Sequence, residues 1–262
     1  MEVPVSITIK NRVLLGILNI PNHQYERPIV VIMCYGFNGD RVEQHRMSVT
    51  TARYFEERGV NFCRFDFRNQ GLSEGCFDNF IFSEKCDDID RIIEYLMACF
   101  RHEDIACYLI GFSNGCKVAI DALVSNDSIT GVVLWNPILQ ELSEKNNDAG
   151  DTRRLYKHPI TGKPYKRFYS LRLNTNLLRE LSEDLSMTKL KDTDKNVLCI
   201  LSVDDPSIRR FREEIITLEN KNNIGVEYVD NTDHLFGSVE KVEYVICKTY
   251  NWIINKELAN KN

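Results

Sequence analysis

Three residue types that can together activate a hydroxyl nucleophile stand far apart in this chain. Ser113 lies in Gly111-Phe-Ser-Asn-Gly115, and Asp205 and His234 each follow an apolar stretch nearer the end of the chain. A serine hydroxyl is a weak nucleophile unless an imidazole accepts its proton, and a carboxylate must orient that imidazole. We therefore predict nucleophilic catalysis, with Ser113 as the nucleophile, His234 as the base and Asp205 as the acid.

Two neighbouring aspartates could supply that acid. Asp204 and Asp205 both follow the apolar run 197–203, and each could accept a hydrogen bond from the imidazole. We predict Asp205, because the step that it forms with Pro206 turns it back toward the end of the preceding strand. Capping the helix that follows is the structural role open to either aspartate.

The segments around these residues predict strands that alternate with helices. Residues 105–110 form an apolar run typical of a buried strand, and a helical pattern follows Ser113. The flanking glycines suit a tight strand-to-helix turn that exposes the serine hydroxyl. Further strands are predicted at residues 3–10, 12–20, 29–34, 60–65, 129–135, 197–203 and 224–229. Further helices are predicted at residues 43–58, 83–100, 206–218 and 239–258, with Ser83 as the N-cap of the second.

This alternation predicts the α/β class, a mostly parallel sheet covered by helices on both faces. The loops after residues 34, 110, 203 and 229 should then meet at one edge, where parallel strands end. The first of these loops would supply one oxyanion donor, the backbone amide of Phe37. The residue after the nucleophile, Asn114, would supply the other.

Composition argues against several other classes of function. The 262 residues carry a net charge of −5 and no sustained run of Lys and Arg, so we expect no nucleic acid partner. No apolar run approaches the ~18 residues of a membrane span, and the N-terminus has no leader pattern. The nine cysteines are scattered without metal-ligand spacing, which favours reduced thiols in a cytoplasmic protein. We expect no metal, cofactor or membrane partner, and the oligomeric state stays open.

The same motifs resemble those of the α/β-hydrolase superfamily. The chain order Ser113, Asp205, His234 matches it, and Tyr35-Gly-Phe-Asn-Gly39 is similar to its His-Gly-Phe-x-Gly oxyanion loop. Residues 66–73, Asp-Phe-Arg-Asn-Gln-Gly-Leu-Ser, are similar to its Asp-x-Arg-Gly-x-Gly-x-Ser segment. Tyr35 and Asn69 depart from the pattern, which has His and Gly at those places.

Within the superfamily the chain resembles small-cap bacterial carboxylesterases, which include feruloyl and cinnamoyl esterases. The resemblance implies hydrolysis of a small to medium carboxylic ester through an acyl-enzyme. A thioesterase or amidase with the same triad is one alternative, and a non-catalytic binding protein on this fold is another. Residues 138–188 break the strand-helix rhythm, so we interpret them as a cap inserted between core segments 1–137 and 189–262.

The cap would choose the substrate. We predict substrate contacts at Tyr35, Tyr156 and Tyr169, although Tyr35 could instead pack in the core. The aromatic residues of the insertion either line an acyl pocket or form its own small core: Tyr156, Tyr165, Phe168 and Tyr169. Its basic residues, Arg153 among them, are expected to form a solvated face, with attraction of an anionic substrate as the alternative. Residues 171–185 could be helical. Three polar residues outside the site are expected to hold a turn together: Asp66, Arg68 and Ser73.

Overall fold

Strands and helices alternate along most of the chain. A computed structural model describes residues 1–101, 104–139, 154–183, 185–219 and 221–259. The strands, in chain order, are β1 (Glu2–Ile9), β2 (Arg12–Asn19), β3 (Ile29–Cys34), β4 (Asn61–Phe65), β5 (Ala106–Phe112), β6 (Ile129–Trp135), β7 (Tyr156–Lys157), β8 (Pro164–Phe168), β9 (Leu171–Asn174), β10 (Asn196–Ser202) and β11 (Ile224–Val229). The α-helices are α1 (Met47–Glu56), α2 (Phe82–Cys99), α3 (Gly115–Ser125), α4 (Thr175–Ser182), α5 (Ser186–Asp192), α6 (Arg209–Ile215) and α7 (Val239–Ala259).

Eight of these strands form one sheet in the order β1-β2-β4-β3-β5-β6-β10-β11. The β1–β2 and β2–β4 pairs are antiparallel, whereas every pair from β4 to β11 is parallel. All residues of β3, β4 and β5 are buried, as expected for parallel strands covered on both faces. The predicted α/β class is therefore confirmed, and the six parallel strands end at one edge.

Helices cover both faces of the sheet. On one face, Phe55 of α1 and Ile246 of α7 belong to a cluster with Trp135, whose indole N–H donates to Thr249 Oγ1 at 2.9 Å. On the other face, α2, α3 and α6 contribute to the larger cluster. Among the residues described, no helix is both long and apolar enough to cross a membrane.

The start of α2 differs from its predicted form. Ser83 does not cap the helix, which begins at Phe82 after Ile81, a residue without a side-chain cap. The carboxylate of Glu180 in α4 takes that role: it accepts from the Phe82 amide at 2.6 Å and from Ser83 Oγ at 2.5 Å. The cap therefore comes from a residue nearly a hundred positions away, which no local pattern could indicate.

The segment between β6 and β10 adds its own small antiparallel sheet, β7-β8-β9, followed by α4 and α5. Residues 171–185 are not one helix: Leu171–Asn174 pair with β8, and α4 begins after Asn174. Asn174 Oδ1 accepts from the Leu177 amide at 3.0 Å and so caps α4. Arg153 lies outside the described residues.

The turn after β4 holds together through its polar side chains. Ser73 Oγ donates to the Asp66 carbonyl at 2.5 Å and accepts from the Leu15 amide at 2.8 Å. The guanidinium of Arg68 pairs with buried Asp88. These contacts are structural, in line with the sequence interpretation.

Candidate active site

Ser113 occupies the tight turn between β5 and α3. Its φ of 56° is in the left-handed region that non-glycine residues rarely adopt. The chain can turn this tightly because its neighbours are glycines: a Cβ on Gly111 would lie 2.6 Å from Cys116 Cα, and one on Gly115 would lie 2.1 Å from the Cys34 carbonyl oxygen. The hydroxyl is thereby presented at the carboxyl edge of the sheet, beside the N-terminus of α3, where negative charge is stabilised.

The structure brings Ser113, His234 and Asp205 into one hydrogen-bonded row. Ser113 Oγ lies 2.9 Å from His234 Nε2, and His234 Nδ1 lies 2.6 Å from Asp205 Oδ2. The Asp205 side chain is 3% exposed and that of His234 is 25% exposed. An alcohol, an imidazole and a buried carboxylate are thus connected across 121 residues of sequence.

Asp205 has a second partner that sequence reasoning missed. The amide and hydroxyl of Ser207 both donate to Asp205 Oδ1, at 2.9 and 2.5 Å. Burial raises the pKa of Asp205, but the hydrogen bonds from His234 and Ser207 outweigh it, so its pKa lies below the ordinary value. Asp204 is turned away: its exposed carboxylate accepts from the Asn231 amide at 2.7 Å.

The loop that carries His234 is tied to the sheet by two buried polar residues. Asn136 Nδ2 donates to the His234 carbonyl at 2.9 Å and to Ser202 Oγ at 2.8 Å, while its Oδ1 accepts from the Ser202 amide at 2.7 Å. Ser202 Oγ in turn donates to the Asp233 carbonyl at 2.9 Å. Asn136 and Ser202 are fully buried and were not predicted. The one sequence signal that could have indicated Asn136 is its position directly after a predicted strand.

The two predicted oxyanion donors belong to segments that lie next to Ser113. Asn114 follows it at the start of α3, and the Phe37 loop approaches through Gly36, where a Cβ would lie 3.4 Å from Ser113 Cβ. Neither the Phe37 nor the Asn114 amide donates to another residue that the structure describes. Both N–H groups can therefore serve an incoming oxygen atom.

A family model described as serine aminopeptidase, S33, matches residues 29–204, which is 176 of the 262 residues. The chain belongs to this family. Its members are α/β hydrolases, so the resemblance expected from the motifs is confirmed. The protein is accordingly a member of a hydrolase family.

Solved structures share the fold of this serine aminopeptidase family member along almost its whole length. Est1E from Butyrivibrio proteoclasticus, solved with ferulic acid bound, has a TM-score of 0.75 at 17% identity and covers 96% of this chain and 98% of its own. The α/β hydrolase GrgF from Penicillium sp. sh18 gives 0.71 at 14%, with 97% and 98% covered. Dienelactone hydrolase from Anabaena variabilis gives 0.66 at 15%, with 97% of each chain covered. At these identities the likeness shows the fold alone, and no curated protein matches the chain.

The Tyr35 side chain of this family member lies in the hydrophobic core. It is fully buried, and its hydroxyl accepts from the Phe67 amide at 2.7 Å. Lys85 Nζ lies 4.2 Å from the centre of the same ring, and burial lowers the pKa of that lysine to about 7. The predicted substrate contact of Tyr35 is therefore corrected: packing, the alternative, describes its position.

Among the aromatic residues between β6 and β10, Phe168 rather than Tyr156 or Tyr169 contacts the ring of Phe37. The Phe168 ring lies 5.7 Å from that of Phe37, centre to centre. Tyr156 stacks on Tyr165, and Tyr169 is 65% exposed and touches Phe168. Within the part of the chain that the structure describes, no hydrogen bond or ring contact joins Tyr156 or Tyr169 to Ser113, His234 or Asp205. In the same residues, no group of three His, Cys, Asp or Glu side chains is placed to hold a metal.

Proposed function

We propose that this protein hydrolyses a small to medium carboxylic ester through an acyl-enzyme on Ser113. The observation that carries the proposal is the unbroken row from Ser113 Oγ through the His234 ring to Asp205. The matching family description, the approach of the Phe37 loop to Ser113 and the free amides of Phe37 and Asn114 support it.

In the proposed reaction, His234 Nε2 takes the proton from Ser113 Oγ as that oxygen attacks the acyl carbon. The carbonyl oxygen becomes negatively charged and receives hydrogen bonds from the Phe37 and Asn114 amides. His234 then gives the proton to the departing alkoxide, and the acyl group stays on Ser113. Water, activated by His234, attacks the acyl-enzyme, and collapse of the second tetrahedral intermediate releases the carboxylic acid and restores the serine.

Asp205 stays ionised throughout this cycle. Its lowered pKa keeps it charged at neutral pH, and it is 2.6 Å from His234 Nδ1. It therefore holds the imidazole in the tautomer whose Nε2 can accept a proton, and it stabilises the imidazolium that forms.

We further propose that residues 138–188 act as a cap over core segments 1–137 and 189–262. Phe168 places an aromatic ring from this segment against Phe37 of the oxyanion loop. An acyl chain held near Phe37 would meet that ring. Ferulic acid bound to Est1E is a precedent, in a structure of the same fold, for an aromatic acid as ligand.

Amide cleavage is the second candidate, because the matching family is described as serine aminopeptidase. A thioester could also react through the same row of residues. Comparing kcat/KM for p-nitrophenyl esters, acyl-CoAs and aminoacyl anilides with one enzyme preparation distinguishes the three types of substrate. We expect the esters to give the highest kcat/KM, and a higher value for the anilides would overturn the ester assignment.

Labelling with a fluorophosphonate probe tests the nucleophile. We expect wild type to label, and Ser113→Ala to lose both labelling and about 10⁴-fold or more of kcat without a change in folding. Ser125→Ala is the matched control, since Ser125 is an exposed serine at the end of α3. A folded wild-type protein that neither labels nor turns over any ester would instead indicate a non-catalytic binding protein.

A further inference from the structure

The loop after β3 carries a buried carboxylate that the proposed mechanism does not use. Glu43 is 8% exposed; its Oε1 accepts from the Gly36 amide at 2.8 Å and its Oε2 accepts from the Gln44 amide at 3.0 Å. We propose that Glu43 is a positioning residue that holds the Gly36 amide and thereby restrains the adjoining Gly36–Phe37 peptide, so that the Phe37 amide faces the acyl oxygen on Ser113. This inference rests on the proposed function.

Hydrogen bonds restrain three successive peptide groups around the Phe37 amide. The Gly36 amide is held by Glu43, the Gly36 carbonyl accepts from the Gly39 amide at 3.4 Å, and the Phe37 carbonyl accepts from Gln70 Nε2 at 2.7 Å. In a trans peptide the C=O and the next N–H point in opposite directions. Holding the Gly36 carbonyl toward Gly39 therefore aims the Phe37 N–H the other way, with that group left unbonded.

Glu43 also lies close enough to Ser113 to influence the position of the oxyanion loop. A Cβ placed on Gly36 would lie 3.6 Å from Glu43 Oε1 and 3.4 Å from Ser113 Cβ. A Cβ on Gly39 would lie only 2.3 Å from the same carboxylate oxygen. A single glycine thus separates the carboxylate from Ser113, and a shift of the carboxylate would be passed on to the oxyanion loop.

The backbone around Glu43 is held in an unfavourable conformation. Glu43, His45 and Arg46 have φ values of 58°, 54° and 59°, a region in which side chains are crowded by the backbone. Such residues persist where surrounding contacts over-determine them, and they cluster at functional sites. The strain follows directly after the oxyanion loop and is independent of the hydrogen bonds to Glu43.

The surroundings of Glu43 shift its pKa in opposite directions. Burial raises the pKa of Glu43, while the two amide donors and Lys85 of α2 favour its ionised form and Asp40 of the same loop disfavours it. In Glu43→Gln the side chain cannot accept both hydrogen bonds, because one of its two terminal groups is an NH₂. That NH₂, which is a donor, must face the N–H of Gly36 or of Gln44, which is also a donor.

The test compares Glu43→Gln with wild type and with Glu74→Gln. Glu74 is the matched control because its exposed carboxylate also accepts from a backbone amide, that of Val13 at 2.9 Å, away from the oxyanion loop. For Glu43→Gln we expect kcat to fall about 10- to 100-fold, below the ~10²–10³-fold loss typical of deleting a donor, with KM within about twofold. The inhibition constant of a trifluoromethyl ketone, whose adduct with Ser113 carries an oxyanion, should rise by the same factor as kcat falls.

Three outcomes would overturn the positioning role: an unchanged kcat, a ketone that binds as tightly as before, or equal losses in Glu74→Gln. If Glu43→Gln does not fold, Glu43→Asp replaces it. This variant keeps the charge but is one methylene shorter, and the same split between kcat and KM is expected. Fluorophosphonate labelling of wild type is scored first, because its absence would refute the proposed function rather than the role of Glu43.

Discussion

The edge of the sheet that carries Ser113 and the segment between β6 and β10 are built in opposite ways. At the edge, the polar side chains that hold the loops are buried: Asn136 and Ser202 are 0% exposed and Asp205 is 3% exposed. In the inserted segment, large apolar side chains face solvent, with Ile160 89% and Tyr169 65% exposed. Reacting atoms need fixed distances, which buried hydrogen bonds provide, whereas the surface of the proposed cap can vary without disturbing those distances.

Asp205→Asn should break the buried edge most severely. The amide would keep the shape of the side chain but would favour the wrong imidazole tautomer, so we expect kcat to fall about 10³- to 10⁴-fold. Asp204→Asn is the control: its carboxylate is exposed and contacts the Asn231 amide, so we expect less than about a twofold change. Steady-state kinetics with a p-nitrophenyl ester measures both. A larger loss of kcat in Asp204→Asn would show that Asp204, not Asp205, is the acid that orients His234.

Most of the elements, and the row of three side chains, could be read from the sequence. Residues 129–135 and 224–229 were predicted as strands with the observed bounds, because apolar runs between turn residues leave little choice. The contacts that stabilise the edge could not be read in this way. Asn136, Ser202 and Glu43 act through backbone groups distant in sequence or through an unusual φ, and residue type and spacing do not record either property.

The insertion was the least predictable region for a related reason. Residues 171–174 pair with β8 although their apolar spacing also suits a helix. The pairing with β8 and the cap that Asn174 places on α4 decide the outcome, and neither can be seen in the spacing of apolar residues. The same limit applies to the aromatic residues. Four were candidates for a pocket, but only the folded chain brings the Phe168 ring to Phe37.

Asn136→Ala should lower both stability and activity, because Asn136 belongs to the buried edge and not to the inserted residues 138–188. The change leaves the buried Ser202 amide and the His234 carbonyl without their partner, so we expect the free energy of unfolding to fall by about 2 kcal/mol. Loss of the tether on the His234 loop should lower kcat about tenfold, because misplacing a reacting group reduces the rate steeply. Urea unfolding and ester kinetics measure the two effects.

Asn223→Ala is the matched control for that experiment. Asn223 Nδ2 also donates to two backbone carbonyls, those of Thr193 and Lys195, but at the end of β11 opposite the Ser113 edge. We expect it to reduce stability by about 1 kcal/mol and to leave kcat unchanged. If both variants lowered kcat equally, general destabilisation rather than the tether on His234 would explain the loss.

Phe168→Ala should have the smallest effect, and that effect should appear in binding rather than in chemistry. Phe168 packs edge-to-face on Phe37, and such aromatic contacts contribute about 0.5–1.5 kcal/mol. An aromatic acyl group bound against Phe168 would lose a contact of similar strength in the variant, so we expect the KM of such an ester to rise about three- to tenfold and kcat to change by less than about twofold. Tyr169→Ala removes the neighbouring, exposed ring and should alter neither constant. If Phe168→Ala instead lowered kcat with KM unchanged, the insertion would help to place the oxyanion loop, and the division between a fixed edge and an adaptable surface would not hold at this contact.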